Sequence, residues 1–541
     1  MKTKETLAHC VYEALKYIKT LADVKEAEVF ASSNLQNVAR FNFTSHILSN
    51  GVEEPKSKED FGIGIQAVFA TSEGLKTGFG SESNNLTLDG VKIALAKARE
   101  GAVLDAEFVS LPRPIAAQRT LFNYHDPELM NIQDEQFIDA SWKILDGAVH
   151  ECLNSPALAK LAARAKKSIH RLGLIVGGDL TVVNEAVAIA STALPEVKTD
   201  ESAFATVSLT AMVEEFNAKG SSSVCYRSLR DISDEAGKEV SRNAIAACGI
   251  FTESDGGGRA GEDFREPATI ESGSYPVIFG PQPLSEFITN LILPALTTSS
   301  FYGMESPFMG KFGEKICSPE ISLYDDAANP AYVGAKGITC EGLPTQKTHL
   351  IINGVLTDLL SSWYETQRLA EKDPDARAKL GKDPKELLAE GKLLPASGFR
   401  FNRGGGRGYD GTPGISGTNV VLEGSNPQPV ESIIEKIPFG VYIGRIWYCY
   451  PMNGLRAGDF TATVIADSFI IKDGKIFAPL KANAVRINDN IVRVLNAAEA
   501  VSDKKETALT WAADEVPVTC DMLVANVRLE EIRESEAGLP E

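Results

Sequence analysis

Histidine is scarce in this chain and nowhere clustered, with six residues in 541 at His9, His46, His125, His150, His170 and His349. A zinc hydrolase needs neutral imidazoles or thiolates about a helical turn apart, plus a carboxylate to manage the water's proton. No neighbouring pair of these histidines meets that need. The eight cysteines (Cys10, Cys152, Cys225, Cys248, Cys317, Cys340, Cys449, Cys520) are equally scattered and form no CxxC. That pattern excludes a local zinc knuckle and favours free, buried thiols over a disulfide framework. Apolar runs such as FITNLILPAL fall short of the ~20 residues a membrane helix requires. Basic charge is outnumbered, with 54 Lys and Arg against 73 Asp and Glu and a net charge of −19. Phosphate binding needs clustered cations, so no nucleic-acid surface is expected. A membrane partner is not expected either.

The composition is otherwise that of a globular protein, 43% hydrophobic, 8% aromatic and 23% charged. Its length exceeds what one core supports and implies several domains. The opening segment MKTKETLAHCVYEALKYIKT has helical apolar spacing and lacks the apolar stretch of a secretory leader, which gives the expectation of a cytoplasmic protein. EAEVFASS and NVARFNFTSH alternate as two strands, and FGIGIQAVFATSEGLKTGFGS reads as a hairpin turning at Ser72-Glu73-Gly74. LTLDGVKIALAKAREGA predicts a helix with Ile93, Leu95, Ala96 and Ala98 on its packing face. The Pro-containing stretch Leu111 to Ile115 then marks a boundary.

A second unit, 116–262, carries the helices DEQFIDASWKILDGAVHECL and LAKLAARAKKSIH. RLGLIVGGDLTVVNEAVAIASTAL follows as strand, Asn184-Glu185 turn and strand. SAFATVSLTAMVEEF adds a strand and ISDEAGKEVSRNAIAACG a helix. FTESDGGGRAGEDFREPATIESG has linker composition. From 263 to 541 the chain turns strand-rich up to about 495. Asn353-Gly354 and Asp473-Gly474 are strong hairpin signals there. EKDPDARAKLGKDPKELLAEGKLL, Glu371 to Leu394, reads as a solvent-facing helix or lid, and VANVRLEEIRESEAGLPE as ending in disorder. The sum is an α+β chain, an α/β N-terminal region (1–115, then 116–262) followed by a large β-rich domain (263–541).

Several local candidates for chemistry fail on spacing. His150-Glu151 would need histidine at 154 or 155, where Asn154 and Ser155 stand, and Pro156 ends the helix. FNRGGGRGYDG has the glycines of a phosphate loop but no Lys-Ser or Lys-Thr after them. With Pro413 and Gly414 close behind, it reads as a mobile loop. Its amides with Arg400, Arg403 and Arg407 are candidates to grip a peptide carboxylate. Asp325-Asp326, Glu341 and Glu286 are candidates for a carboxylate-lined cavity or an oxygen-ligand cation site. No G-x-S-x-G elbow appears.

Four ordered motifs, SPFMGKFGEKICSPEISLYDD, GITCEGLPTQKTHLIINGVL, PASGFRFNRGGGRGYDGTPGISGTNVVLEG and RIWYCYPMNGLRAGDFTATVIADSFIIKDGKIFAPLKANAVRIND, resemble the TldD/PmbA family. In the metallopeptidase branch of that family, the helix after the first strand of this domain carries HExxxH. The corresponding helix here is LSEFITNLILPAL, Leu284 to Leu296, which keeps Glu286 and has no histidine. Cys449 in RIWYCYPMN lies near where TldD-type chains supply a cysteine to zinc, and one thiol cannot hold catalytic zinc.

The resemblance implies a TldE/PmbA-like subunit, itself without catalytic residues, metal or cofactor. Zinc is expected only in a TldD-like, HExxxH-bearing partner, and the substrates are small unfolded peptides. It also implies a dimer, with that partner or with itself. Substrate contacts fall to Arg403, Gly404, Gly405, Gly406, Arg407 and Cys449. The alternatives are a homodimeric peptide-binding protein, or an autonomous hydrolase using Cys449, Glu286 and Asp325-Asp326.

Overall fold

A computed structural model describes residues 1–47, 50–250, 264–511 and 513–532. Its N-terminal half is built on one antiparallel sheet. The strand order is Val103–Leu104, Gly74–Ser83, Lys56–Thr71, Val24–Thr44, Leu174–Ser191, Lys198–Val213 and Ala218–Tyr226, with Gly51–Val52 beside Val24–Thr44. The sheet takes strands from both sides of the Leu111–Ile115 segment. The hairpin turns as expected, with Thr71 paired to Gly74 across Ser72 and Glu73.

Two strand readings need correction. EAEVFASS and NVARFNFTSH are one continuous strand, in which Asn34 pairs with Asp60 on one side and Glu185 on the other. Asn184-Glu185 is not a turn. It sits mid-strand, with Glu185 opposite Asn34 and Ser202. A buried acid in mid-strand broke the apolar pattern, and its partners lie far away in sequence.

Period-two alternation gives this sheet two different faces. Ala186, Ala188 and Ala190 pack beneath the helices Lys4–Ile18 and Leu88–Glu100. Small residues let those helices approach closely. A Cβ on Gly80 would sit 2.2 Å from the Ala94 carbonyl oxygen, so only glycine fits there. In Leu88–Glu100 the buried face is Val91, Ala94, Leu95 and Ala98, whereas Ile93 is exposed. Helices Asp134–Leu153, Pro156–Ala165 and Glu235–Ala247 cover the other end of the sheet.

The opposite face, with Phe30, Val187 and Ile189, packs against Ile338, Cys340, Phe399 and Tyr409 of the C-terminal half. That half contains a closed barrel. Its strands run Phe439–Pro451, Gly273–Phe279, Met522–Glu531, Val485–Asn490 and Asp459–Lys472, and the last pairs back onto the first. A six-stranded sheet centred on Ile321–Asp326 and Asn419–Gly424 stands beside it. The protein is thus α+β, with a helix-covered N-terminal sheet and a β-rich C-terminal domain. The two Gly hairpins form as read, with Asn353 and Gly354 at φ 46° and 81° and Asp473 and Gly474 at 51° and 72°.

VANVRLEE is ordered, since Met522–Glu531 closes the barrel. The linker's residues 251–263 and the tail 533–541 lie outside the described residues. The charged insertion is neither a single helix nor a lid. It continues Trp363–Glu371 into the short helices Ala376–Leu380 and Pro384–Ala389, and Leu380, Leu387 and Leu393 enter the C-terminal core. Among the described residues, no helix is long and apolar enough to cross a membrane.

Candidate functional site

The Glu286 helix begins at Pro281, directly after the barrel strand Gly273–Phe279, and continues to Ala295 through a π-turn at Ile288–Ile292. Pro294 has no N–H to give and crowds the preceding turn. The chain widens there, and the Leu293 N–H reaches back five residues to the Ile288 carbonyl. If the Glu of HExxxH is laid on Glu286, its histidine positions are Ser285 and Asn290. The Ser285 hydroxyl donates to the Pro281 carbonyl at 2.9 Å, inside the helix. The Asn290 amide donates to the Glu286 carboxylate at 2.9 Å, and the Gln282 amide donates to its other oxygen at 3.1 Å.

Amides at i−4 and i+4 therefore hold Glu286 in place. Gln282 also clamps Ile446 of the barrel strand Phe439–Pro451, accepting its N–H at 3.0 Å and donating to its carbonyl at 3.3 Å. Burial pushes the Glu286 carboxyl up to about 7, against lesser opposing effects of Asn290 and Arg445. Cys449, on the same barrel strand, is 6% exposed. Burial raises its thiol strongly and the charge of Glu286 raises it further, so it stays protonated and is not poised as a ligand or nucleophile.

Glu286 lines a cavity of about 650 Å³ at the seam between sheet and barrel. One wall is the sheet's Thr206–Leu209 and Ser221–Ser223, and the other is the barrel's Tyr442, Arg445, Trp447 and Asp467. Asp467 ties the walls together, its carboxylate accepting the Ser221 N–H at 3.2 Å and the Ser221 hydroxyl.

The Gly-rich loop lies elsewhere along the seam and is tied down by side chains of both halves. Arg407 is fully buried, paired to Glu185 at 2.9 Å and to Asp200 at 3.0 Å. Lys336 adds a second cation to Glu185 at 2.8 Å. Together these cations hold the Glu185 carboxyl well below the usual range despite its burial. The loop's main chain is fixed as well. Asn34 donates to the Arg407 carbonyl at 2.9 Å, and the Arg407 N–H donates to Glu185 at 2.8 Å. Arg400 pairs with Glu28, both buried. The N–H groups of Arg403 and Gly404 donate to Asp514. Gly406 is buried, Gly405 is half-buried, and the Arg403 side chain is exposed. The sequence-derived site residues therefore do not converge, because Cys449 belongs to the barrel core and Arg407 to the seam.

The other carboxylates separate too. Glu341 accepts the Trp363 N–H at 2.9 and 3.0 Å, and Asp325 accepts from Thr418 at 2.8 and 2.9 Å. Burial lifts them to about 8 and about 7. Neither they nor Asp326 line the cavity with Glu286. His150 is exposed in the last turn of its helix. Among the described residues no three His, Cys, Asp or Glu side chains are grouped to hold a metal. The sequence reading missed Gln282, Asn290, Asp467 and Glu239. Only the first two carried a signal, standing four residues either side of Glu286.

Residues 272–533 match the family model described as the PmbA/TldA metallopeptidase C-terminal domain, so the barrel half is of metallopeptidase-related type. By this match the C-terminal half is a domain of the TldD/PmbA family. TldE from Thermococcus kodakarensis has the same fold, with a TM-score of 0.71 over 97% of this chain and 100% of that one at 17% identity. A metalloprotease of Synechocystis sp. is 24% identical over 238 residues, 43% of this chain and 43% of that one. A metalloprotease of Methanothermobacter thermautotrophicus is 26% identical over 231 residues, 42% of this chain and 43% of its own length. The match to these curated relatives thus spans less than half their length. The zinc that a metallopeptidase fold implies does not fit this donor set. A serine hydroxyl, two carboxamides and one protonated thiol surround Glu286, where zinc requires imidazole, thiolate or carboxylate donors.

Proposed function

We propose that this chain is a TldE/PmbA-like subunit that binds small unfolded peptides and leaves zinc chemistry to a TldD-like partner bearing HExxxH. The observation that carries this reading is the amide clamp on Glu286. The carboxylate faces a substrate-sized cavity, yet hydrogen bonds from Gln282 and Asn290 take the place of a metal.

An added strand is the binding mode the geometry favours. The barrel strand Phe439–Pro451 pairs with Gly273–Phe279 from Val441 to Ile443 and no further. At Ile446 the Gln282 amide holds the hydrogen-bond positions a neighbouring strand would take. A peptide laid along this edge would bind by main-chain hydrogen bonds, which are indifferent to side-chain identity. Tyr448, Tyr450 and Met452 on and after this strand are exposed and supply an apolar surface for a second subunit. In the loop, exposed Arg403 and half-buried Gly404 and Gly405 are the residues able to reach a peptide, and Arg407 holds the loop down. Eight free, buried cysteines suit a reducing compartment such as the cytoplasm.

Co-expression tests the reading. Tagged chain should retain an HExxxH-bearing partner, and peptidase activity should appear only in that complex. Chelator-sensitive peptide cleavage by this chain alone would overturn it.

A further inference from the structure

The cavity at the seam has a charge character that subunit assembly does not explain. Asp179, Glu239, Glu286, Asp467, Glu506 and Asp521 line it, with Glu431 near its mouth. Among the described residues lining it, Arg445 and Lys504 are the only cations. Both are already engaged, Lys504 with Glu506 at 2.6 Å and Arg445 with the Thr210 hydroxyl at 3.2 Å.

The acids come from separate places: Asp179 from the sheet, Glu239 from helix Glu235–Ala247, Glu286 from its own helix, Asp467 from the barrel strand Asp459–Lys472, Glu506 from the Lys504–Glu506 segment and Asp521 from just before Met522–Glu531. They feel one another across the space. Burial is the main cause that raises Asp467, Glu239 and Asp521; the charge of Glu239 adds to it at Asp467 and that of Glu506 at Glu239 and Asp521, against opposing effects of Arg445 and Lys504. Their local partners are neutral hydroxyls and amides. Ser222 donates to Glu239 at 2.6 Å, Tyr442 to Asp521 at 2.9 Å and Asn290 to Glu286 at 2.9 Å. Arg445 and Lys504 offset only part of this charge, the lining stays acidic on balance, and a positive group entering between Glu286, Glu239 and Asp467 would relieve the remaining repulsion. Trp447, Phe469, Ile434 and Ile476 supply apolar wall for the rest of a ligand.

We propose that the cavity selects peptides by positive charge, seating an ammonium or guanidinium group of the bound peptide among Glu286, Glu239 and Asp467. This rests on the peptide-binding reading and adds the class of peptide. The group is either a Lys or Arg side chain or the peptide's free amino terminus, and both present the same chemistry. An acidic peptide is disfavoured by the same field, because like charge in a low-dielectric pocket repels strongly.

The test is equilibrium binding of fluorescent hexapeptides that share an alanine-glycine backbone, with two Lys, no charge or two Glu, each free or acetylated at the amino terminus. The Lys peptides should bind about ten-fold or more tighter than the neutral ones, and the Glu peptides weakest. The preference should shrink with added salt. An effect of acetylation alone assigns the amino terminus, and an effect of Lys alone assigns the side chain. Glu286→Gln and Glu239→Gln, made separately in case one fails to fold, should each lower the ratio of Lys-peptide to neutral-peptide affinity, and a ratio unchanged in both folded variants overturns the assignment to these carboxylates. Equal binding of all charge classes overturns this proposal and leaves the peptide-binding reading standing. Absence of binding by every peptide overturns both.

Discussion

Glu286 is held in its uncharged form more firmly than an exposed glutamate, and this has a measurable sign. Burial moves its carboxyl to about 7 from an ordinary value of 4.5. Below the ordinary value both folded and unfolded chains keep the proton, and nothing is gained or lost. Between 4.5 and 7 the unfolded chain releases the proton that the folded chain retains, so stability falls as pH rises. Above 7 the loss is complete, on the order of 3 kcal/mol before any relaxation. Glu286→Gln cannot ionise, and its one amide oxygen can accept from Gln282 or from Asn290. Its melting temperature relative to the parent should therefore climb between pH 5 and pH 8, which thermal unfolding at several pH values checks. A difference that stays flat across that range would show the carboxyl to be unshifted. The sequence displayed Glu286 as the survivor of a lost motif. It did not display the electrostatic surroundings, because Asp467 and Glu239 reach the cavity from distant segments.

The Arg407 loop shows how far local chemistry misleads at the level of an element. Three consecutive glycines followed by Asp-Gly-Thr-Pro-Gly have the composition of a mobile segment, yet the loop is the bolt between the two halves. The Tyr409 carbonyl lies so close to the sheet that a Cβ on Gly64 would come within 2.1 Å of it. Arg407→Met should cost about 3–5 kcal/mol, because it strips a buried ion pair from Glu185 and Asp200 and leaves their charges to Lys336 and Arg119. Denaturant unfolding measures this, and a cost below about 1 kcal/mol would contradict a bolting role. The Asn184-Glu185 pair was illegible for the same reason, since the cations that hold Glu185, Lys336 and Arg407, stand far along the chain. Elements whose physics is local were legible. Both Gly hairpins formed at the residues read, and so did the helix Asp134–Leu153. The insertion after Glu371 was misread because its three core leucines are spread thinly among charges.

At the scale of the whole molecule, a helix-covered sheet and a barrel domain enclose a cavity between them, and a buried ion network holds the seam. The class of fold was legible through the resemblance of four ordered C-terminal motifs to a known family, of which the last, Arg445 to Asp489, supplies barrel strands. The cavity was not, since its walls come from opposite halves and share no local pattern. The account's central claim is that the Glu286 helix carries no zinc of its own. Metal content per chain, measured by elemental mass spectrometry on protein purified alone and without chelator, tests it most directly. The account predicts zinc at background level, unchanged in Cys449→Ser. Zinc near one equivalent per chain, lost in that variant, would contradict it.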